Sequence, residues 1–260
     1  MLGSPIAHSL SPVLHQAAYD ALGLSGWTYR AIECGTAELG EVLHSLDRDG
    51  LAGVSLTMPL KQAVLPMLAT ADDLVTEVGG ANTVLFGDEW SGFNTDVPGM
   101  VDALRGIDVP GTATVLGAGA TAASAIVALA SLGVTHIVVR ARRPAVAAGL
   151  ASLAAGRGIV VDIEQWTDGG SDVRSPLVVS TVPAGAADRL ATDLGDVFGR
   201  VLFDVVYAPW PTPLAAAWTA AGGVVVGGLE LLIAQAARQV TLMTGRDAPL
   251  EAMRAAVVHG

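Results

Sequence analysis

The chain of 260 residues is long enough to bury the core of one large domain or of two medium ones. Hydrophobic residues make up 52% of it and charged residues only 15%, which excludes a disordered protein and predicts a globular one. The formal net charge of -11 repels a phosphate backbone, so we expect no nucleic-acid partner. An anionic ligand would need a local cluster drawn from only 14 Lys and Arg residues.

Cysteine content and hydropathy narrow the class further. The single cysteine, Cys34, excludes an intramolecular disulfide and a cysteine-built metal site, and it suits a reducing cytoplasm. Residues 109–139 carry no Asp, Glu, Lys or Arg, but several glycines interrupt them, so a strand, a turn and a helix are favoured over a membrane span. With no signal peptide visible, we expect a cytoplasmic protein with no membrane partner and no metal.

Strands and helices alternate along residues 1–97, which predicts an α/β domain. A helix is expected to begin with Ser11 as its N-cap and Pro12 in its first position, and to end near Gly23. The other elements predicted here are strands at 27–34 and 52–57, helices opening at Thr36 and at Pro59, and a hairpin of 82–86 and 90–93.

The next segment, 98–228, shows the same alternation with more continuous apolar runs. Such runs are typical of parallel strands buried on both faces. The predicted strands are 112–116, 134–140, 159–163, 177–181, 201–205 and 224–226, and the predicted helices are 120–132 and 144–155. Two further helices, 230–244 and 250–258, follow. We therefore predict two domains, 98–228 with a Rossmann-type doubly wound sheet and 1–97 completed by the helices of 229–260.

A glycine turn lies between the first strand and the first helix of the second domain. Gly117 permits the tight turn, Gly119 lets the backbone approach a pyrophosphate, and Ala122 lets the helix pack close to the strand. The helix N-terminus then offers free N–H groups and positive potential to the phosphates. The turn, including Ala118, Ala120 and Thr121, is thus predicted to bind a dinucleotide.

The end of the following strand favours NADP over NAD. An NAD site usually has Asp or Glu there to hold the ribose hydroxyls. This chain instead has Arg140, Ala141, Arg142 and Arg143, and guanidinium groups bind phosphate in a bidentate manner, as a 2′-phosphate requires. The alternative is that these arginines form a solvated basic turn.

Short polar side chains cluster at element ends in the first domain. Ser9 and Ser11 precede a helix, where two hydroxyls and the helix N–H groups suit a carboxylate. Lys61 follows a strand, where open α/β sheets form their sites, and Asp96 could orient its ammonium for proton exchange with a substrate oxygen. The sequence alone does not decide whether Lys61 and Asp96 meet.

Eight motifs in this order resemble those of the shikimate dehydrogenase family and span nearly the whole chain. They are GSPIAHSLSP (3–12), SLTMPLK (55–61), GGANTV (79–84), FNTD (93–96), VLGAGATAAS (115–124), STVPAG (180–185), DVVYAPWPTP (204–213) and GGLELLIAQAA (227–237). The resemblance implies a two-domain enzyme that reduces the C3 ketone of 3-dehydroshikimate to shikimate with NADPH, in aromatic amino-acid biosynthesis.

The resemblance also implies roles for individual residues. Lys61 would be the catalytic acid/base, paired with Asp96. The substrate carboxylate would be held by Ser9 and Ser11, and the ring hydroxyls by Thr57, Asn82, Asp96 and Gln235 with help from Tyr207. Val205 and Gly228 would line the nicotinamide end of the cofactor site.

This chain departs from the family pattern at three points. Ala120 replaces a glycine in the turn, and Ala141 replaces an asparagine before the retained Arg142. Only Met1 and Leu2 precede Gly3, where the family has several residues of a first strand, so we expect that the native start lies upstream or that the chain has been trimmed. The alternatives left open are a quinate/shikimate or aminoshikimate dehydrogenase that uses NAD, and a non-catalytic dinucleotide-binding module. The oligomeric state, monomer or homodimer, is also open, and we expect the domains to close around the substrate.

Overall fold

The computed structural model describes residues 1–258 as an α/β protein with two compact units. Unit 1 comprises Met1–Gly99 together with the chain from Leu232 onward, and unit 2 is Met100–Leu231. The predicted domains break after 97 and after 228. In the described residues no helix is both long and apolar enough to span a bilayer.

Within residues 1–258, twelve strands and ten α-helices form the two units. The strands are β1 (Leu2–Gly3), β2 (Ile32–Glu33), β3 (Gly53–Ser55), β4 (Thr70–Ala71), β5 (Thr83–Leu85), β6 (Ser91–Phe93), β7 (Thr112–Leu116), β8 (His136–Ala141), β9 (Val160–Gln165), β10 (Leu177–Ser180), β11 (Val201–Asp204) and β12 (Val224–Gly227). The helices are α1 (Ser11–Ala21), α2 (Leu39–Arg48), α3 (Leu60–Ala63), α4 (Asp73–Val78), α5 (Asp96–Ala103), α6 (Ala120–Ser131), α7 (Ala148–Ala155), α8 (Pro213–Ala220), α9 (Gly228–Thr244) and α10 (Leu250–Val258).

The ends of several strands lie side by side and form one edge of unit 1. β1 pairs with β2 in parallel, and a second sheet runs β3-β5-β6-β4, with β5 antiparallel to both of its neighbours. A parallel bridge between Leu2 and Leu56 aligns β1 with the end of β3. The carboxyl ends of β1, β3 and β6 and the start of β5 therefore share one edge.

An apolar core holds this edge in place. Leu43 of α2, Leu60 of α3 and Val54 and Val84 of the sheet belong to one buried cluster. Apolar side chains of this size each contribute about 1.5–3 kcal/mol when they are fully buried. The short helix α3, which carries Lys61, is thus anchored through Leu60, whose side chain is completely buried.

Unit 2 is built on a parallel sheet of six strands in the order β12-β11-β10-β7-β8-β9. The first strand of the unit, β7, is central, and the chain runs outward from it in both directions, which is the doubly wound topology. Strands β10 and β11 are buried along their whole length. The predicted fold class is therefore confirmed.

Three local predictions in unit 1 are wrong. The N-cap of α1 is Leu10 rather than Ser11, and the Ser11 amide donates to the Ser9 hydroxyl at 3.2 Å, so Ser9 supplies the capping oxygen. The predicted strand at 27–34 shortens to β2, because Trp27 closes a turn onto Leu24 and the partner strand β1 spans only Leu2–Gly3. Helix α2 also begins at Leu39, later than the predicted start at Thr36.

Candidate active site

Lys61 and Asp96 form an ion pair at the polar edge of unit 1. The Nζ of Lys61 lies 2.5 Å from Oδ2 of Asp96, and the two side chains are only 15% and 8% exposed. Lys61 sits in α3 just past β3, and Asp96 opens α5 just past β6. Since the carboxyl ends of β3 and β6 share an edge, the sheet order brings together two residues that are 35 positions apart.

Asn82 fixes the other oxygen of the same carboxylate. Its Nδ2 donates to Oδ1 of Asp96 at 2.8 Å and approaches Oε1 of Gln235 at 3.4 Å. Its Oδ1 accepts from the backbone amide of Thr95 at 2.9 Å and from the hydroxyl of Thr83 at 3.0 Å. These donors set the orientation of the Asn82 amide, so its N–H groups face Asp96 and Gln235.

The backbone around Asp96 is also fixed. Oδ1 of Asn94 accepts from the amides of Asp96 and Val97 at 3.1 and 3.2 Å, and so satisfies the free N–H groups at the start of α5. Asp96 lies in the first turn of that helix, where the helix dipole stabilises negative charge. The pair is thus an ammonium held against an oriented carboxylate, which suits proton exchange with a substrate oxygen.

Ser9 and Thr57 lie on neighbouring loops of the same edge, and Ser11 is the first residue of α1. The Thr57 amide donates to Leu2 O at 3.0 Å, and the Ser4 amide to Met58 O at 3.0 Å, so the loop after β1 runs beside the loop after β3. The Ser9 hydroxyl points at Sδ of Met1 at 3.0 Å. In the described part of the chain, no hydrogen bond joins Ser9, Ser11 or Thr57 to the cluster of Lys61, Asn82, Asp96 and Gln235.

A buried polar network behind Asn82 was not predicted. Gln239, 1% exposed, donates through Nε2 to the Thr83 hydroxyl at 3.1 Å and accepts through Oε1 from Ser55 at 2.9 Å. The same Oε1 lies 3.3 Å from Nε2 of His15, so that nitrogen carries the proton. Gln235 and Gln239 lie one helical turn apart on α9, a spacing that places both on one face.

The imidazole of His15 is neutral in the folded protein. Burial lowers the pKa of His15 to about 3, and its ring stacks on Tyr29 with centroids 3.8 Å apart. Below a pH of about 6.5 the unfolded chain binds a proton that the folded protein excludes. The contribution of neutral His15 to the free energy of unfolding is therefore fully present above about pH 6.5, and it is lost progressively as the pH drops towards about 3.

We expect His15→Gln to flatten the acid side of the stability profile. Between pH 6.5 and 4.5 the wild-type protein should lose about 2 to 3 kcal/mol more unfolding free energy than the variant, at about 1.4 kcal/mol per pH unit. Urea unfolding followed by circular dichroism at each pH measures this. His8→Gln, at an exposed position, is the control. Parallel profiles for wild type and His15→Gln would contradict the assignment.

The glycine turn of unit 2 follows β7 and opens α6, as predicted. Gly117 has a φ of +111°, and a Cβ on it would lie 2.6 Å from Oγ1 of Thr181, so only glycine fits. A Cβ on Gly119 would meet nothing within 4 Å, which leaves open space in front of the helix. Helix α6 begins at Ala120, with Thr121 in its first turn, and Gly119 gives it no side-chain cap. Its first N–H groups therefore face that space and suit a phosphate.

The basic segment follows β8 at the same edge of the sheet. Ala141 is buried, whereas Arg142 and Arg143 are exposed. The side chain of Arg140, by contrast, forms an ion pair with Glu164 at 2.5 Å on the adjacent strand. Arg142 and Arg143 are therefore exposed beside the turn, whereas Arg140 is held by Glu164.

Val205 and Gly228 meet at the carboxyl ends of β11 and β12. A Cβ on Gly228 would collide with the carbonyl oxygen of Val205, so the two backbones touch. Asp204, 2% exposed, ties the loop that follows β11 by accepting from the Val206 amide and the Thr212 hydroxyl. Burial raises the pKa of Asp204 above its ordinary range. This loop carries the half-buried Tyr207.

The doubly wound sheet with its glycine turn, and the lysine–carboxylate pair at a polar edge, are the features of a dinucleotide-dependent α/β oxidoreductase. Among the described residues no group of His, Cys, Asp or Glu is arranged to hold a metal ion. Comparison with models of protein families identifies the family within this class. The substrate-binding domain of shikimate dehydrogenase matches residues 1–84, and the C-terminal domain of shikimate 5′-dehydrogenase matches residues 228–258.

The chain belongs to the shikimate dehydrogenase family. It is 35% identical to the shikimate dehydrogenase (NADP(+)) of Moorella thermoacetica, over 97% of this chain and 90% of that one. The crystal structure of Mycobacterium tuberculosis shikimate dehydrogenase superposes with a TM-score of 0.89 at 45% identity, covering 98% of both chains. The Thermus thermophilus enzyme, solved in complex with NADP(H) and shikimate, gives 0.83 at 30% identity, over 99% of this chain and 97% of that chain.

Proposed function

We propose that this protein reduces 3-dehydroshikimate to shikimate with NADPH, as a step of aromatic amino-acid biosynthesis. The observation that carries the proposal is the Lys61–Asp96 ion pair. It lies where the carboxyl ends of β3 and β6 meet, and Asn82 holds Asp96 in place. A cytoplasmic location, small-molecule ligands and a monomeric or homodimeric state belong to the same proposal. The relatives named NADP(+)-dependent shikimate dehydrogenases support it.

Lys61 acts as the acid in the direction of reduction. A ketone that accepts a hydride develops alkoxide charge on its oxygen, which a positioned ammonium stabilises and protonates. Asp96 keeps the ammonium oriented through the 2.5 Å contact, and Asn82 keeps Asp96 oriented through its other oxygen. In the reverse direction, neutral Lys61 takes the proton from the substrate hydroxyl.

The remaining polar groups bind the substrate. Asn82, Asp96 and Gln235 form one hydrogen-bonded cluster, and Thr57 lies on the adjoining loop; they suit a ring that carries several hydroxyls. A site built from such groups discriminates strongly against an analogue that lacks a hydroxyl, because its buried polar groups are then left unpaired. Ser9 and Ser11 would bind the carboxylate, and Tyr207 would assist.

Unit 2 would hold the cofactor, which supplies the hydride when bound. The open space at Gly119 and the uncapped start of α6 suit its pyrophosphate, with the backbone of Gly117, Ala118, Ala120 and Thr121 around it. The exposed Arg142 and Arg143, with Ala141 before them, suit a 2′-phosphate. Val205 and Gly228 would line the nicotinamide end.

A second candidate is a quinate/shikimate or aminoshikimate dehydrogenase that uses NAD. The structure of Listeria monocytogenes shikimate 5-dehydrogenase, 26% identical with a TM-score of 0.83, is of a complex with shikimate and NAD. The replacement of the family's asparagine by Ala141 also favours this possibility. A non-catalytic dinucleotide-binding module is disfavoured, because Lys61 and Asp96 are both present and paired.

Steady-state kinetics with two substrates crossed against two cofactors tests the proposal. Initial rates of nicotinamide reduction are measured for shikimate and quinate, each with NADP and with NAD. We expect the highest kcat/KM for shikimate with NADP. A higher value for quinate or for NAD would select the second candidate. No turnover in any of the four combinations would refute the proposal and the quinate/shikimate form of the second candidate.

A further inference from the structure

Arg142 follows β8 at the carboxyl edge of the parallel sheet, beside the glycine turn. The Gly117 amide donates to Arg140 O at 2.9 Å, so the segment that leads to Arg142 lies directly against the turn. Arg142 itself is exposed. A long exposed arginine samples many rotamers, and its ordering on a ligand phosphate costs conformational entropy. Contacts that order the side chain beforehand reduce that cost.

Two contacts within unit 2 hold the Arg142 guanidinium. Its Cζ lies 5.5 Å from the centroid of the Trp166 ring, within the range of a cation–π interaction. One of its N–H groups donates to Ala186 O at 2.9 Å. A guanidinium carries five N–H donors in a fixed plane, so a single bond to a carbonyl leaves donors for a phosphate.

Trp166 is itself a rigid support. Its side chain is 6% exposed and packs into the buried cluster that includes Leu116 and Val178. Its amide donates to Ala141 O at 3.1 Å, and its indole N–H donates to the Asp168 carboxylate. Gln165 adds a hydrogen bond from its side chain to Arg142 O at 3.2 Å. The ring therefore offers a fixed face to the guanidinium.

We propose that Trp166 is a positioning residue that sets the preference for NADPH over NADH by holding Arg142 in place for the 2′-phosphate. The inference rests on the proposed function and adds a residue to it. Ala141, at the place of the family's asparagine, has only a buried methyl group to offer. The aromatic support of Arg142 thus stands in for the asparagine that this chain lacks at position 141.

The test is the ratio of kcat/KM for NADPH to kcat/KM for NADH, measured with 3-dehydroshikimate. We expect Trp166→Leu to lower the NADPH value about three- to thirty-fold, as loss of a cation–π contact implies, and to change the NADH value less than about two-fold. Trp166→Phe keeps an aromatic face, so it should retain most of the wild-type ratio. If Trp166→Leu does not fold, Trp166→Met gives the same comparison.

Two controls separate positioning from packing. Trp218 is fully buried in the same cluster and donates to Arg200 O, away from Arg142, so Trp218→Leu should lower stability and leave the ratio unchanged. In an Arg142→Met background, Trp166→Leu should no longer affect the ratio, because the partner of the ring is gone. Calorimetric binding of 2′,5′-ADP, compared with 5′-ADP, should show the same pattern without catalysis.

The outcomes distinguish this inference from the proposed function. A wild-type protein that is inactive with both cofactors refutes the proposed function. A wild-type protein that is active but shows no preference for NADPH contradicts the role of Trp166. A ratio that is unchanged in Trp166→Leu, whether both kcat/KM values stay the same or fall equally, also contradicts that role. The proposed function would still stand.

Discussion

Replacement of Lys61 by methionine should lower kcat for 3-dehydroshikimate reduction about 10²- to 10⁴-fold, the usual contribution of a positioned general acid. Methionine keeps the length of the side chain but cannot donate the proton. The KM for NADPH should change little, because the residues proposed to bind the cofactor belong to unit 2. Initial rates at saturating NADPH measure both constants.

A matched pair of variants separates charge from proton transfer at this site. Lys61→Arg keeps the positive charge beside Asp96, but a guanidinium does not release its proton near neutral pH, so we expect a similarly low kcat. Gln62→Met changes the exposed neighbour on α3 and should leave kcat unchanged. A kcat for Lys61→Met within about three-fold of the wild type, far below the expected effect, would refute the role of Lys61.

Substitution of Gly117 by alanine should raise the KM for NADPH by at least about ten-fold. The added Cβ would lie 2.6 Å from Oγ1 of Thr181, at a φ of +111° that side chains rarely adopt. Strain of this kind costs about 1–3 kcal/mol, and its relief would move the turn away from the pyrophosphate. Binding of NADP, followed by quenching of protein fluorescence, measures the effect directly.

Gly111 supplies the control for this prediction. It precedes the other end of β7, and a Cβ on it would meet only Oγ1 of Thr135, at an ordinary 3.9 Å. Gly111→Ala should therefore bind NADP as the wild type does. Equal affinities for NADP in Gly117→Ala and wild type would show that the cofactor does not use this turn.

The sequence could predict those parts of the fold that local signals control. The strands of unit 2 are continuous apolar runs, and β7, the glycine turn and α6 lie where that pattern predicts them. Helix α5 was not predicted, because Pro98 and Gly99 within it are usual helix breakers. Its start depends on Asn94, which caps the helix with its side chain. Helix α8 was also missed, although Thr212 and Pro213 give an N-cap and a first-turn proline.

Contacts between distant segments lay beyond prediction from the sequence. Lys61 and Asp96 were each recognisable at strand ends, but their meeting depends on the order of β3, β5 and β6. The contact of His15 with Gln239 joins residues 224 positions apart, and neither side chain gives a local signal of its partner. The cation–π contact of Arg142 with Trp166 likewise requires β8 and β9 to be neighbours.

The transfer of a labelled hydride tests the central claim most directly. Purified protein is mixed with 3-dehydroshikimate and NADPH that is dideuterated at C4 of the nicotinamide, and the product is analysed by NMR. We expect shikimate with one deuteron on the carbon that bears the new hydroxyl, in equal amount to the NADPH consumed. Unconsumed NADPH, or shikimate with only protium at that carbon, would contradict the account.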